Sequence, residues 1–201
     1  MSLSSKISQR SIKISIILIL ILTVLVSEKR AERYGDNFQI VLPLMALGCN
    51  VVNGSAGEYF VRYLGMFFTT HGFKRGLGEI PLNTRPNGKT HGFPSGHTST
   101  AVFGASSLVS DCITSSPIVK GVVIVTAGFV GASRIESENH NIWQVLAGVL
   151  VGWFWDRAAR KPGPVRRIAL KLFSPIRRGF HFLTRPLTWL INKFSIQGTN
   201  K

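Results

Sequence analysis

Six apolar runs, separated by short polar segments, constrain the fold of this chain more than any other feature of its sequence. The runs are Ile14–Val26, Phe38–Val52, Ala56–Thr70, Ser99–Ile113, Ile118–Ala132 and Ile142–Trp155. Each is roughly 13–16 residues long, somewhat short of the ~20 residues that cross a bilayer core, so flanking polar residues must complete each span. With 45% hydrophobic residues and a mean hydropathy of +0.21, the composition is that of a membrane protein. The pattern predicts an all-α fold, a bundle of six transmembrane helices.

The first run has basic residues before it, as a secretory signal peptide would, because Lys6, Arg10 and Lys13 precede it. The run ends in VLVSEKRAE, which lacks the small residues of a cleavage site. We therefore expect a retained first helix.

Positive charge is concentrated after the last apolar run. The formal net charge is +15, and residues 157–201 contain eleven Lys and Arg but no Asp or Glu. The positive-inside rule places such a segment in the cytoplasm, which accounts for its charge without a nucleic-acid partner. Apolar residues recur among the basic ones, which is typical of amphipathic helices on an anionic leaflet, although a tail that only sets the topology fits equally well. We expect a membrane domain over residues 1–156 and a basic amphipathic C-terminal tail over 157–201.

Six spans with both termini in the cytoplasm bring the longest polar loops to one face. Residues 27–37, 71–98 and 133–141 then lie outside, and residues 53–55 and 114–117 lie inside. The outer loops after residue 70 carry His71, Lys74, Arg75, Arg85, Lys89, His91, Ser95, His97, Ser133, Arg134 and His140. Cations and hydroxyls of this kind bind an anion with several acceptor oxygens, above all a phosphate. The pattern predicts an active site on the extracytoplasmic face.

The segment PSGHTSTA predicts that Ser95, Gly96 and His97 lie where a loop turns into the fourth helix. Backbone N–H groups at a helix start are unpaired, and together with the helix dipole they attract anions. Two histidines suggest the reaction, because a neutral imidazole can attack phosphorus and a protonated one can give its proton to the leaving oxygen. Neither step needs a metal or a cofactor.

Zinc is the alternative chemistry for the histidines of this region. Its ligands would be His71, His91, His97 and His140. No carboxylate or close histidine pair gives them the spacing of a zinc site, so we expect none.

Two cysteines and a Glu–Arg pair lie inside the apolar runs. Cys49 and Cys112 show neither metal spacing nor a sign of a disulfide, and we expect them to be buried, unpaired thiols. Glu58 and Arg62 lie four residues apart on one helix face, where they can pair with each other and hold helices together.

The polar residues of the outer loops resemble the three-part signature of the type 2 phosphatidic acid phosphatase superfamily. The matching residues are Lys74, Arg85-Pro86, Pro94-Ser95-Gly96-His97, Ser133-Arg134 and His140. The resemblance covers residues 74–148. Membrane members of the superfamily also have six spans, with the three parts after the third span and at the starts of the fourth and the sixth.

The resemblance implies a role for each matching residue. The phosphate-binding residues would be Lys74, Arg85, Ser95, Gly96 and Arg134. His140 would be the nucleophile that forms a phosphohistidine, and His97 would be the general acid for the leaving group. Water would then hydrolyse the phosphohistidine.

The chain departs from the family pattern at two places. Gln144 stands where the family has an Asp that orients the nucleophilic histidine; the amide can accept the ring N–H, or Glu136 or Glu138 can supply a carboxylate. The gap between Lys74 and Arg85 is also longer than usual, which leaves Arg75 as an alternative to the lysine.

The resemblance implies an integral-membrane lipid phosphate phosphatase of the bacterial inner membrane, with its site facing the periplasm and its tail in the cytoplasm. Its partners would be the bilayer and a lipid phosphate such as lipid A, phosphatidylglycerophosphate, undecaprenyl diphosphate or phosphatidic acid. The run HNIWQVLAGVLVG looks like the lipid A 1-phosphatase branch. The alternative is a non-catalytic lipid-phosphate-binding or transport-associated protein, in which Gln144 has removed turnover. A soluble relative that binds vanadate does not fit six spans, and the oligomeric state is open.

Overall fold

The fold is helical throughout the part of the chain that the structure, a computed structural model, describes. The described residues are 9–27, 30–158, 160, 163–172, 174–175, 178–179, 182 and 186. They contain helices, turns and loops but no strand. The predicted all-α class is confirmed.

Seven α-helices follow one another along these residues. They are α1 (Gln9–Val26), α2 (Ala31–Val52), α3 (Ala56–Gly76), α4 (Gly96–Ser107), α5 (Pro117–Glu136), α6 (Ile142–Ala158) and α7 (Pro164–Leu172). A 3₁₀ turn at Pro81–Asn83 lies in the long loop between α3 and α4, and a π-helical turn at Leu108–Cys112 continues α4. Each apolar run of the sequence coincides with one of the first six helices.

Several helices extend beyond their apolar runs. α2 begins at Ala31, so the prediction that residues 27–37 form a loop is wrong for most of that range. α3 likewise continues to Gly76 and carries Lys74 in its last turn. Hydropathy marks only the apolar part of a helix, whereas Glu, Arg and Lys are good helix formers that continue it into polar surroundings.

Two helices, Gln9–Val26 and Pro117–Glu136, are long and apolar enough to cross a membrane. By comparison, α4 has 12 residues and α6 has 17, fewer than the ~20 that an unassisted span requires. A bundle of six spans therefore stays a prediction.

The centre of the bundle is α4, which packs against α2, α5 and α6. Its residues Ala101 and Phe103 are fully buried. α6 approaches the backbone of α4 closely, because Cβ atoms at Gly148 and Gly152 would lie 2.7 Å from Ser95 O and 2.3 Å from Ser99 O. This contact sets the first turn of α4 against the middle of α6.

Buried charges connect the helices at the opposite end of the bundle. Arg62 Nη1 lies 3.1 Å from Asp156 Oδ1, and Arg62 Nη2 lies 3.7 Å from Asp111 Oδ2. The carboxylate of Glu58 instead bonds Arg166 at 2.6 Å. The predicted pairing of Glu58 with Arg62 is therefore wrong. A buried guanidinium is better satisfied by carboxylates from neighbouring helices than by a partly exposed one on its own helix.

Cys49 and Cys112 form a disulfide, with Cα atoms 6.1 Å apart. The expectation of unpaired thiols is wrong. The two residues are 63 positions apart in sequence and meet only because α2 packs against the π-helical turn.

The predicted tail begins in the last turn of α6 and contains α7, which contacts α3. Predictions for several of its apolar residues lie outside the described residues, namely Phe173, Phe180, Leu183, Trp189 and Leu190.

Candidate active site

A cavity of about 860 Å³ brings together residues from all three parts of the signature. Of the predicted site residues, Lys74, Arg85, Gly96, His97, Arg134 and His140 line it. Ser95 and Gln144 are fully buried directly behind this wall. Three cations and two histidines, contributed by four segments of the chain, therefore face one space.

Gln144 holds the ring of His140 in one orientation. Its Oε1 lies 3.1 Å from His140 Nδ1, and its Nε2 donates to Leu82 O at 3.1 Å and to Thr84 O at 2.8 Å. Carbonyl oxygens only accept hydrogen bonds, so the amide nitrogen must face them and Oε1 must face the imidazole. His140 Nδ1 consequently carries the ring proton, which leaves Nε2 with its lone pair.

His140 is neutral at physiological pH. Burial, and then the charge of Lys74, lower the pKa of its ring from the ordinary 6.5 to about 3. The ring is 2% exposed, and its backbone N–H donates to Arg134 O at 3.0 Å. A neutral, oriented imidazole with a free nitrogen is the form that attacks an electrophile.

The sequence left Glu136 and Glu138 as alternative partners for this ring, and the structure assigns that place to Gln144. Both glutamates are exposed.

Lys74 and Arg85 converge on one backbone carbonyl. Lys74 Nζ donates to His91 O at 2.7 Å, and Arg85 Nη2 donates to the same oxygen at 3.3 Å. Burial and the neighbouring Arg85 lower the pKa of Lys74 to about 8, so the amine remains mostly protonated at neutral pH. Arg75 is exposed and does not line the cavity. The lysine, not the alternative arginine, therefore lies in the site.

Asn83 organises the loop that carries Arg85. It is fully buried, its Nδ2 donates to Lys74 O and Gly78 O, and its Oδ1 accepts from Phe93 N. One side chain thus ties the end of α3 to the segment before α4, which keeps the long gap between Lys74 and Arg85 compact.

Ser95 caps α4 instead of facing the cavity. Its Oγ accepts from Thr98 N at 3.4 Å and from Thr98 Oγ1 at 2.9 Å. The prediction that Ser95 and His97 open the fourth helix is confirmed, since α4 begins at Gly96. The cavity wall at this point is formed by Gly96 and His97.

Arg134 is enclosed by the first two turns of α2. Its Nη2 donates to Glu32 O at 2.7 Å, its Nη1 lies 2.9 Å from Asp36 Oδ1, and its Nε donates to Ser133 Oγ at 3.4 Å. The same Asp36 oxygen lies 3.2 Å from His97 Nε2. α2 thus places two carboxylates, Glu32 and Asp36, beside the cationic wall.

Sequence reasoning missed these α2 carboxylates because it assigned residues 27–37 to a loop without functional groups. It also considered His91 for its side chain alone. The backbone of His91 has a φ of 62°, a conformation that few non-glycine residues adopt. Its carbonyl oxygen accepts hydrogen bonds from both Lys74 and Arg85. No local pattern in the sequence marks that carbonyl.

Of the remaining polar residues of the outer loops, His71 also lines the cavity, whereas Lys89 does not. His71 stacks on Phe67 at 4.0 Å between ring centroids, and Lys89 is exposed. In the part of the chain that the structure describes, no three His, Cys, Asp or Glu side chains are grouped so that they would hold a metal ion.

Comparison with known proteins agrees with this arrangement. A family model described as the PAP2 superfamily matches residues 59–162, just over half of the chain. That range includes Lys74, Arg85, Gly96, His97, Arg134 and His140, but not the two carboxylates of α2. No curated protein and no solved structure matches the chain significantly.

Proposed function

This chain belongs to the type 2 phosphatidic acid phosphatase superfamily, and we propose that it is an integral-membrane enzyme that removes phosphate from a lipid. Members of the superfamily are phosphatases of lipid or related phosphate substrates. The finer assignments, namely the lipid substrate, the metal-independent reaction, the residue roles and the site facing the periplasm, are our proposal.

The observation that carries the lipid assignment is the shape of the cavity. One end holds Lys74, Arg85 and Arg134, and the other end runs between α2 and α3. The walls of that apolar part are Ile40, Leu44, Leu47, Phe60, Tyr63, Met66 and Phe67. A volume of about 860 Å³ greatly exceeds what a phosphate group needs. A lipid phosphate would fill both ends of this cavity, with its phosphate beside the cations and its apolar chain between α2 and α3.

The phosphate would bind between the cations. Lys74 and Arg85 supply charge from one side, Arg134 from the other, and Gly96 offers its backbone at the start of α4. Within the described part of the chain, Arg85 Nε is buried without a hydrogen-bond partner. A phosphoryl oxygen would satisfy this donor.

The reaction would proceed in two displacements. His140 Nε2 attacks phosphorus, the ester bond to the lipid breaks, and protonated His97 gives its proton to the leaving oxygen. Water then attacks the phosphohistidine, transfers a proton to neutral His97, and releases inorganic phosphate with free His140. Both histidines return to their starting forms, so the steps balance without an external acid or base.

Exposed apolar side chains support a membrane location. Among the described residues, Leu25, Val26, Ile118 and Val125 are each at least 71% exposed. Surfaces of this kind are typical of helices in contact with lipid. We place the site at the outer face of a bacterial inner membrane and residues 157–201 in the cytoplasm, with lipid A 1-phosphate as the first substrate to test.

Loss of the nucleophile tests this function. We expect membranes containing wild-type protein to release phosphate from a lipid phosphate in the presence of EDTA, and His140→Ala to reduce release at least a thousandfold, since the covalent step is lost. Lys89→Ala changes an exposed loop residue that does not line the cavity, and it is the control that retains activity. The substrates are lipid A, phosphatidylglycerophosphate, undecaprenyl diphosphate and phosphatidic acid.

Other outcomes would identify other functions. Equal, near-zero release by wild type and His140→Ala on all four lipids would contradict catalysis and favour lipid-phosphate binding without turnover. Activity that EDTA alone removes would contradict the metal-independent mechanism.

A further inference from the structure

Asp36 lies between the two groups that the proposed reaction assigns to phosphate binding and proton transfer. Its Oδ1 is 2.9 Å from Arg134 Nη1 and 3.2 Å from His97 Nε2. A single carboxylate oxygen thus occupies a position where it accepts from both. Asp36 lies on α2, outside the three signature segments.

The packing of α2 against α5 holds Asp36 in this position. A Cβ atom at Gly35 would lie 2.0 Å from Ser133 Oγ and 3.0 Å from Arg134 Nη2. Only glycine permits this approach. One turn earlier, Glu32 contacts Arg134 through its backbone carbonyl and, at 3.8 Å, through its carboxylate.

The guanidinium of Arg134 already has acceptors at each of its nitrogens. Its side chain is 3% exposed, and its partners are Ser133 Oγ, Glu32 O and Asp36 Oδ1. The first two belong to the helices that form the wall. Asp36 is a side chain that lines the cavity and is 33% exposed, so it can turn toward solvent. A phosphate that binds Arg134 therefore replaces Asp36 most readily.

We propose that Asp36 is the resident counter-ion of the phosphate site: it holds Arg134 and His97 in place while the site is empty, and a phosphoryl oxygen displaces it. This inference rests on the proposed function, because it takes Arg134 and His97 as groups that act on phosphate. Asp36 is a positioning residue and does not take part in bond making or breaking.

The electrostatics of the site give the carboxylate a specific task. The pKa of His97 lies below its usual value, because burial and the charges of Arg134 and Lys74 lower it by more than Asp36 raises it. His140 also faces His97 but is neutral. Asp36 thus supplies a negative charge that favours the protonated form of His97 among these cations until the substrate brings its own.

The variant Asp36→Asn tests this task without requiring turnover. The amide preserves size and one acceptor oxygen but removes the charge. We expect the His97 resonance of histidine-labelled protein in detergent micelles, assigned with His97→Gln, to titrate roughly one pH unit lower in Asp36→Asn than in wild type. Glu32→Gln is the matched control, because Glu32 contacts Arg134 but not His97. In that control the His97 titration should move much less.

Binding of inorganic phosphate tests the displacement. With no carboxylate to displace, we expect Asp36→Asn to bind inorganic phosphate roughly tenfold more tightly than wild type at pH 7, by calorimetry. Asp36→Ser replaces the carboxylate with a hydroxyl and is the substitute variant if Asp36→Asn folds poorly. It should change the His97 titration and the phosphate binding in the same directions as Asp36→Asn. An unchanged His97 titration, or unchanged or weaker phosphate binding, overturns the proposal. Suppose that wild type binds inorganic phosphate and that Asp36→Asn shows both expected differences from it, but that wild type releases no phosphate from lipids. The counter-ion role of Asp36 is then supported, and the proposed catalytic function is contradicted.

Discussion

Gln144 orients the ring of His140 because an amide has both an acceptor and donors. Its Oε1 accepts a hydrogen bond from the imidazole, and its Nε2 donates hydrogen bonds to Leu82 O and Thr84 O. A carboxylate would satisfy the imidazole but would turn its second oxygen toward two carbonyl oxygens. The residue that departs from the family pattern therefore matches the surroundings that this chain gives it.

Gln144→Glu tests this match. Although the variant supplies the charge that the family's Asp carries, we expect it to lower both the unfolding temperature and phosphate release, because its second oxygen faces two acceptors inside the protein. Two lost donations beside a buried charge correspond to roughly 2–5 kcal/mol of the free energy of unfolding. Thermal unfolding in detergent and phosphate release measure the two effects.

The control is Gln39→Glu, the same change at a partly buried position of the cavity wall. It should leave the unfolding temperature nearly unchanged. If Gln144→Glu is as stable as wild type and more active, a negative charge beside the imidazole matters more than the hydrogen bonds to the two carbonyl oxygens.

At the scale of elements, the close contact of α4 with α6 brings the two halves of the site together. His97 lies in the first turn of α4, and His140 lies just before α6. Ser95 N–H donates to Gln144 O at 2.8 Å, which connects the cap of one helix to the first turn of the other. A change in this contact should alter the distance between the histidines.

Gly148→Ala tests the contact. Its Cβ would lie 2.7 Å from Ser95 O and 3.1 Å from Thr98 Cβ, so the helices must separate. We expect a loss of roughly 1–3 kcal/mol in the free energy of unfolding, which is typical of overpacking, together with weaker phosphate release. The control is Gly128→Ala on α5, where no heavy atom lies within 4 Å of the added Cβ. We expect this variant to leave the free energy of unfolding unchanged or to raise it slightly. Equal effects of the two variants would contradict the role of the α4–α6 contact.

At the scale of the whole molecule, the predicted topology puts the phosphate site and the α4–α5 connection on opposite faces of the membrane. Lys89 and Ser115 are exposed positions on these two connections. In a background with Cys49 and Cys112 replaced by Ser, we expect a membrane-impermeant maleimide to label Lys89→Cys in intact cells. Ser115→Cys should be labelled only after permeabilisation. The reverse pattern would contradict the orientation, and labelling of both in intact cells would contradict the number of spans.

The helical class, the positions of six helices and the identity of the cationic and histidine residues followed from the sequence alone. Apolar runs, charge and short motifs are local properties, which a single stretch of chain displays. Six residues of the three signature parts line the cavity, namely Lys74, Arg85, Gly96, His97, Arg134 and His140, whereas the hydroxyl of Ser95 caps α4.

Tertiary structure decided which groups lie within hydrogen-bonding distance of one another. The acceptor role of Gln144 depends on carbonyls about 60 residues away, and the Cys49–Cys112 disulfide joins residues 63 positions apart. The placement of Asp36 requires both the extension of α2 to Ala31 and its packing on α5 at Gly35. Such contacts arise from the packing of distant helices, and no local pattern of the sequence encodes them.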